Sequence, residues 1–328
     1  MRLLITGVTG FVGRHLVAHV REAHPEVEII GLVRPDGLPE PDPAWRVTAL
    51  TADLEDAKAI EAAVAEARPD AVVHLAAQSS PALSWSDPAG TFRTNAVGLL
   101  NLLEALRRRA LRPRVLVIGS SEEYGRVRPE ELPLAEDHPL RPGSPYATSK
   151  VAQGFVALQY FLAHDLPVIR TRTFHHTGPG RGEAFAESSF ARQIAEIAAG
   201  RRGPVLKVGN LDALRDFSDV RDVARAYWAL LESGCPGEVY NVASGVGVRI
   251  GELLERLVTL SGLRVELRVD PARLRPSDLP ALVGNPAKLR AATGWQPRIA
   301  LDDTLRDLLD DWRRRVGAPA ATPSAARR

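Results

Sequence analysis

Short apolar runs alternate with helical segments over the first two-thirds of this 328-residue chain, and this alternation restricts its fold more than any other feature. The runs are continuously apolar, which predicts strands buried on both faces, as in a parallel sheet. Strand–helix alternation of this kind predicts a doubly wound α/β sheet, whose ligands bind at the carboxyl ends of its strands. Strands are predicted over 2–7, 27–34, 47–54, 71–77, 114–121 and 168–174, and helices over 11–24, 56–68, 88–109 and 144–164.

The strand–helix alternation ends after about residue 175, where loops rich in Gly, Pro and Arg separate the helical segments. We therefore predict a Rossmann-type cofactor domain over 1–174, to which segments near 216–245 return. A smaller substrate-binding region is predicted over 175–316. The Ala/Pro/Ser-rich stretch 317–328 is predicted to be a disordered tail.

The net charge and the cysteine content indicate which partners and which cellular compartment to expect. The net charge of +2 gives a nucleic-acid partner no electrostatic support. The single cysteine, Cys235, excludes an internal disulfide, and no cysteine cluster suggests zinc, so a reducing cytoplasmic setting is expected. No run approaches the roughly 20 apolar residues that a membrane span needs, so no membrane partner is expected.

A glycine-rich turn, ITGVTGFVGRHL, lies between the first predicted strand and the first predicted helix. Gly7, Gly10 and Gly13 let the backbone turn tightly and approach a pyrophosphate at the helix N-terminus, beside Phe11 and Val12. The spacing is GxxGxxG instead of GxGxxG, but its position between strand and helix is the one that dinucleotide binding requires.

The end of the second strand indicates which dinucleotide is bound. Arg34 stands where an acid would hold the ribose of NAD, and an arginine suits the 2′-phosphate of NADP(H). NAD(H) stays as the alternative, with Asp36 as a ribose partner. Asp53 and Leu54 are predicted to meet the adenine. The path towards the nicotinamide is predicted to be lined by Leu75, Ala76 and Ala77.

The stretch SPYATSK places Tyr146 and Lys150 on one face of a predicted helix, in a chain that has only four lysines among 42 basic residues. Lysine is a tunable point charge, whereas arginine stays charged. An ammonium group beside a tyrosine favours the ionised phenol, which suits the tyrosine to acid–base chemistry. Ser120, Ser121 and Glu122 lie at the carboxyl end of the fifth predicted strand, the edge that the glycine turn also faces.

Four ordered motifs, TGVTGFVG, HLAA, SSEEYG and YATSK, resemble the extended short-chain dehydrogenase/reductase family, and the resemblance covers nearly the whole chain. The resemblance implies that Tyr146 is the general acid or base at a sugar hydroxyl or ketone. It also implies that Lys150 lowers the pKa of that tyrosine and holds the nicotinamide ribose. Ser120 would then hydrogen-bond the same substrate oxygen. Such donors stabilise the charge that develops on the oxygen of a reduced ketone.

The segments TRTFHHTGPGRG, KVGNLDALRDFSDVRD and LRPSDLPALVGNPAKLRAATGW resemble enzymes of GDP-mannose metabolism. The resemblance implies a GDP-sugar substrate, whose diphosphate arginine and lysine side chains can bind. Ser121 and Glu122 are expected to contact the sugar. The other substrate contacts are expected from His175, Arg181, Lys207, Arg215, Arg275 and Asp278.

Two activities of that group remain open. The first is NADPH-dependent reduction of the C4 ketone of GDP-4-keto-6-deoxy-D-mannose to GDP-D-rhamnose. The second is 4,6-dehydration of GDP-mannose with Glu122 as the base at C5. TGVTGFVG and RDFSDVRDV resemble the reductase, since the dehydratases carry TGxTGQDG and DWGHAxDYV. An epimerase for another nucleotide sugar and a non-catalytic NADP-binding regulator are the remaining alternatives.

His175-His176 replaces the Asn-His pair that is usual in the family, and a histidine can still donate and accept hydrogen bonds. Adjacent residues of an extended segment face opposite ways, so this pair is not expected to bind a metal. The helical segments 88–109 and 144–164 match those that many family members use to form a dimer. We therefore expect a homodimer, with Leu99, Leu103, Phe155 and Leu158 divided between the core and the interface.

Overall fold

The computed structural model describes residues 1–35, 45–273 and 279–317, which form two compact units. The first unit contains residues 1–35 and 45–176, and the chain returns to it over 213–248 and 279–299. The second contains 177–212, 249–273 and 300–317. Gly317 ends the last helix, and the rest of the predicted tail lies outside the described residues. The assignment of cofactor to one region and nucleotide sugar to the other stays a prediction.

The described residues contain thirteen strands, and the first six coincide with the predicted ones to within a few residues at each end. The strands are β1 (Arg2–Thr6), β2 (Glu28–Val33), β3 (Val47–Thr51), β4 (Ala71–His74), β5 (Arg114–Ser120), β6 (Val168–Thr173), β7 (His175–Thr177), β8 (Val205–Val208), β9 (Leu214–Asp219), β10 (Val239–Val242), β11 (Gly247–Arg249), β12 (Glu266–Val269) and β13 (Ala281–Leu282).

Eleven α-helices lie in the described residues, and the predicted helix 88–109 is divided by a π-helical turn over Arg93–Val97. The helices are α1 (Phe11–Ala23), α2 (Ala57–Ala67), α3 (Pro81–Ser86), α4 (Pro88–Phe92), α5 (Gly98–Arg108), α6 (Pro145–His164), α7 (Ala186–Ala198), α8 (Val220–Ser233), α9 (Ile250–Ser261), α10 (Ala287–Thr293) and α11 (Leu301–Gly317).

A seven-stranded sheet in the order β10-β6-β5-β4-β1-β2-β3 forms the centre of the first unit. Every neighbouring pair in it is parallel, which confirms the predicted doubly wound α/β fold. The strand order reverses between β1 and β4, so ligands are expected beside the carboxyl ends of these strands.

Two apolar layers cover the two faces of this sheet. One contains buried residues of α1 and α8, among them Leu16 and Tyr227, and the other contains residues of α2, α5 and α6, among them Leu103 and Ala157. Burial on both faces explains why most of the strands read as continuous apolar runs. The prediction is wrong for the edge strand β3, where three of the five residues are exposed. No helix within the described ranges is long and apolar enough to span a membrane.

Most of the later strands belong to smaller sheets. β11, β9 and β13 pair in that order, and β7 also pairs with β9. β12 pairs with β8 inside the second unit, where α11 contacts both α7 and α9.

Hydrogen bonds to Asp216 in β9 connect two turns of the first unit to this strand. Its buried carboxylate accepts hydrogen bonds from the amides of Ser244, Gly245 and Gly284 at 2.8, 2.9 and 3.2 Å. It also accepts one from the Ser244 hydroxyl at 2.6 Å. These donors satisfy the lone pairs of a carboxylate that water does not reach.

Replacement of this carboxylate should destabilise the protein. Asp216→Asn turns a donor group towards backbone amides, so we expect a loss of about 3 kcal/mol in the free energy of unfolding, measured by urea denaturation. Asp212→Asn, in an exposed position nearby, is the matched control and should change it by less than about 0.5 kcal/mol. Equal stability of the two variants would contradict this account of Asp216.

Candidate active site

The glycine turn after β1 packs too closely against neighbouring backbone for side chains at Gly7 and Gly13. Gly7 has a φ of +71°, and a Cβ added there would lie 2.9 Å from the Ala76 amide nitrogen. A Cβ at Gly13 would lie 2.5 Å from the carbonyl oxygens of both Gly7 and Val8. Gly10 is the N-cap of α1 and provides no side-chain cap. The first amides of α1, including those of Phe11 and Val12, are therefore suited to an anion such as a pyrophosphate.

The predicted adenosine contacts follow the next two strands. Arg34 is exposed and comes directly after β2, at the edge where a 2′-phosphate is expected. Asp53 and Leu54 come shortly after β3, and Asp53 accepts a hydrogen bond from the Glu55 amide at 2.8 Å. Asp36, the alternative ribose partner, lies outside the described residues.

The segment after β4 passes beside the glycine turn. Leu75, Ala76 and Ala77 are partly buried, and the Ala76 amide donates to the Thr6 hydroxyl at 3.1 Å. That hydroxyl also lies 3.0 Å from Nδ1 of His74. Burial first and Lys150 second lower the pKa of His74 to about 3, so its ring is neutral near pH 7.

The turn after β5 presents the predicted serine and glutamate side chains. Ser120 ends the strand and caps a 3₁₀ turn over Ser121–Tyr124, where its hydroxyl accepts from the Glu122 amide at 3.2 Å. Ser121 is buried and Glu122 is partly exposed. Glu123 completes a capping box, because its carboxylate accepts from the Ser120 amide at 2.7 Å.

Helix α6 carries the predicted tyrosine and lysine in its first two turns. Its start follows from local chemistry, since Ser144 caps it through the Ala147 amide at 3.1 Å and Pro145 occupies the first helical position. Tyr146 and Lys150 are both buried. Because α6 contacts both β5 and the 3₁₀ turn after it, Tyr146, Lys150 and Ser120 lie in one region of the first unit.

The ammonium group of Lys150 is buried and hydrogen-bonded, and its pKa is shifted. Its ammonium group donates to the Ile118 carbonyl at 2.9 Å and to Oε1 of Gln153 at 2.8 Å. Burial lowers the pKa of Lys150 to about 8, while the Glu123 carboxylate acts in the opposite direction. The group can thus change protonation state close to neutrality, which an arginine cannot do.

The π-helical turn contributes a residue that the sequence patterns did not single out. Asn95 donates to the Ser149 hydroxyl at 2.9 Å and exchanges hydrogen bonds with the backbone of Gln78 at 2.8 and 3.0 Å. The Ser149 hydroxyl in turn donates to the Tyr146 carbonyl at 2.7 Å. Asn95 therefore connects the segment after β4 to the helical turn that carries Tyr146.

The predicted substrate residues are distributed between the units. In the first unit, the His175 ring lies 5.6 Å from that of Phe217, and Arg215 is buried in β9. In the second, Arg181 lies 3.5 Å from the Glu187 carboxylate and over the Phe185 ring, and half-exposed Lys207 lies 4.0 Å from Asp270. Arg275 and Asp278 lie outside the described residues. No three potential metal ligands converge within the described ranges.

A parallel sheet with this strand order, a glycine turn before α1 and a Ser-Tyr-Lys set at β5 and α6 defines a short-chain dehydrogenase/reductase fold. The GDP-mannose 4,6-dehydratase family model matches residues 4–308, and the chain belongs to this family. The predicted family resemblance is thereby confirmed.

Individual relatives divide between two activities. The chain is 39% identical to GDP-6-deoxy-D-mannose reductase of Pseudomonas aeruginosa, over 96% of this chain and 98% of that protein. It is 30% identical to GDP-mannose 4,6-dehydratase of Yersinia enterocolitica, over 78% and 76% of the two chains. Among solved structures it resembles RMD from Pseudomonas aeruginosa complexed with NADPH, with a TM-score of 0.85 and 37% identity over 96% and 100% of the chains.

The position of Arg34 generates a test of cofactor choice. Loss of a guanidinium–phosphate contact costs about 1.5–3 kcal/mol, so Arg34→Ala should weaken NADPH binding about 10- to 150-fold. NADH lacks the 2′-phosphate and is the internal control, so its affinity should stay unchanged. Titration of nicotinamide fluorescence measures both constants, and an equal loss for the two cofactors would contradict the assignment.

Proposed function

We propose that the protein is an NADPH-dependent reductase that converts the C4 ketone of GDP-4-keto-6-deoxy-D-mannose to the alcohol of GDP-D-rhamnose. The observation that carries this proposal is 39% identity to a GDP-6-deoxy-D-mannose reductase over nearly the full length of both chains. The buried Ser120, Tyr146 and Lys150 on β5 and α6 support it, because they supply the acid and the cation that ketone reduction needs.

NADPH, when bound against the glycine turn, supplies the hydride. Gly7, Gly10 and Gly13 would let the backbone approach its pyrophosphate, and Arg34 would bind the 2′-phosphate. Asp53 and Leu54 would contact the adenine, and Leu75, Ala76 and Ala77 would line the path towards the nicotinamide.

Tyr146 donates its phenolic proton to the C4 oxygen as negative charge develops there. Ser120 donates a hydrogen bond to the same oxygen, and the Lys150 ammonium stabilises the phenolate that remains. Lys150 must be protonated for this role, and its pKa of about 8 leaves most of it protonated at pH 7. Proton donation should therefore weaken as the pH rises through this value.

In this proposal the GDP-sugar is held by the substrate residues that the sequence predicts. Arg215, Lys207, Arg181 and Arg275 bind the diphosphate, and Asp278 accepts hydrogen bonds from the guanine or ribose. His175 and Ser121 contact the sugar. Fixed placement of C4 against the cofactor is what makes transfer efficient.

Glu122 supports a second candidate, the 4,6-dehydration of GDP-mannose. Its carboxylate follows Ser120 by two residues in the same turn and is partly exposed, so it could remove a proton next to an enolisable ketone. The higher identity to the reductase favours reduction, in which Glu122 is a substrate contact and not a base.

A paired assay distinguishes the two reactions. With GDP-4-keto-6-deoxy-D-mannose and NADPH, we expect one NADPH consumed for each GDP-D-rhamnose formed. With GDP-mannose and a catalytic amount of NADP⁺, we expect no keto sugar. Tyr146→Phe should lower kcat in the first reaction about 100-fold or more and leave NADPH affinity unchanged, because it removes only the acid.

Either contrary result would be informative. Keto sugar formed from GDP-mannose, and lost in Glu122→Gln, would establish the dehydratase. Full activity of Tyr146→Phe would contradict the assignment of the general acid.

We also propose that the enzyme is a homodimer formed through α5 and α6 and that it acts in the cytoplasm. Phe155 and Leu162 of α6 are 56% and 71% exposed, and Leu100 of α5 is 38% exposed. Leu99 and Leu103 lie in the core, and Leu158 is partly buried beside the exposed face. A second copy would cover these apolar side chains. The free Cys235 suits a reducing compartment.

Charge on the exposed face of α6 should disrupt the dimer. Phe155→Arg places a cation in the proposed interface, where burial without a partner is costly, so we expect a monomer by size-exclusion chromatography with light scattering. Leu267→Arg is the matched control, because Leu267 is 47% exposed on β12 in the second unit. Dimers of both variants would exclude this interface.

A further inference from the structure

Glu123 is a buried carboxylate next to the predicted catalytic residues. Its side chain leaves the 3₁₀ turn after β5 and is only 4% exposed. One oxygen accepts the Ser120 amide at 2.7 Å, and the other lies 3.3 Å from Nε of Arg172 in β6. A buried carboxylate needs such partners, and here one of them is the backbone of Ser120 itself.

The neighbouring backbone is shaped around this carboxylate. A Cβ at Gly119 would lie 2.4 Å from Oε1 of Glu123 and 2.3 Å from the Thr171 carbonyl oxygen. Any larger residue at Gly119 would displace either the carboxylate or the β5–β6 pairing. The glycine therefore lets the carboxylate lie directly against strand β5, one residue before Ser120.

Lys150 approaches the same strand from α6. Its hydrogen-bond acceptors, the Ile118 carbonyl and the Gln153 amide oxygen, are both neutral. Glu123 and Gln153 line one cavity together with Arg170 and Arg172. Lys150 and Glu123 therefore bind neighbouring peptide groups of β5, the Ile118 carbonyl and the Ser120 amide.

The charged groups around this pair come from three elements. Arg172 of β6 lies 3.3 Å from the Glu123 carboxylate, and Arg170 of the same strand lines the same cavity. Lys150 of α6 donates to the Ile118 carbonyl of β5, and His74 of β4 is neutral because burial lowers its pKa to about 3. Burial has the largest effect on Glu123 and raises its pKa above the ordinary value, while the Ser120 amide, Arg172 and Lys150 act in the opposite direction. Two arginines and a lysine against one carboxylate favour its ionised form.

We propose that Glu123 is a positioning residue for the reaction: it fixes the backbone of Ser120 and acts as the counter-ion that keeps Lys150 protonated. The catalytic consequence rests on the proposed reductase function, whereas the charge relation between the two side chains does not. The two parts can therefore be tested separately.

The charge relation can be measured without any substrate. Because the chain has four lysines, ¹³C,¹⁵N-lysine labelling gives few side-chain signals, and Lys150→Met assigns the one of interest. Glu123→Gln keeps the shape and the oxygen that accepts the Ser120 amide, but removes the charge. We expect the pKa of Lys150 to fall by about one unit or more in this variant. An unchanged pKa would overturn the proposal.

Two further measurements keep the test decisive. Glu130→Gln, at a 65% exposed side chain, is the surface control and should leave the pKa of Lys150 unchanged. If Glu123→Gln does not fold, ¹³C-glutamate labelling of the native protein reports the ionisation of Glu123 directly. An ionised carboxylate at pH 7 supports the proposal, and a protonated one contradicts it.

Activity then tests the catalytic part. The alkaline limb of kcat/KM should move to lower pH in Glu123→Gln by the same shift that NMR measures, because this ratio reports the free enzyme. A loss of stability alone would not move the limb. Absence of ketone reduction in the native protein would contradict the proposed function and leave the NMR result standing.

Discussion

The arrangement of this site depends on the hydrogen bonds of the buried Lys150 ammonium group. A cation removed from water needs hydrogen-bond acceptors, and the fold supplies the Ile118 carbonyl from β5 and the Gln153 amide oxygen from the same helix. The contact with Ile118 holds α6, the helix that carries Tyr146, against the carboxyl end of β5, the strand that ends at Ser120. The need for a compact, tunable cation is consistent with a lysine here in a chain of 38 arginines and four lysines.

Hydrogen bonds of two other side chains join the segment after β4 to its neighbours in the first unit. Asn95 connects the segment after β4 with α6 through Ser149, and Thr6 connects it with β1. The glycine turn and the predicted acid–base residues lie at the same edge of the sheet, because its strands are parallel. A π-helical turn gives Asn95 its position, in keeping with the frequent occurrence of such turns at functional sites.

The strands, the glycine turn and the start of α6 could be predicted because their signals are local: apolar runs, a strand–glycine–helix order, and a Ser-Pro cap. The π-helical turn at Arg93–Val97 could not be predicted, because one irregular turn barely changes the helical periodicity of 88–109. Glu123 had a readable signal, the spacing of a capping box with Ser120. Gln153 had a weaker signal, its i, i+3 spacing from Lys150 on α6, which does not show that the pair is buried. The pairing of Arg181 with Glu187 depends on the conformation of the loop between them, and no sequence pattern singles it out among 38 arginines.

Isotope transfer tests the central claim, hydride delivery from NADPH to C4 of the sugar, most directly. Reduction of GDP-4-keto-6-deoxy-D-mannose with 4-deuterated NADPH in H₂O, followed by NMR of the product, should place deuterium at C4. The same reaction with unlabelled NADPH in D₂O should leave no deuterium on carbon beyond that found without enzyme. Enzyme-dependent deuterium at C5 in D₂O would contradict the account and make Glu122 a base at that carbon.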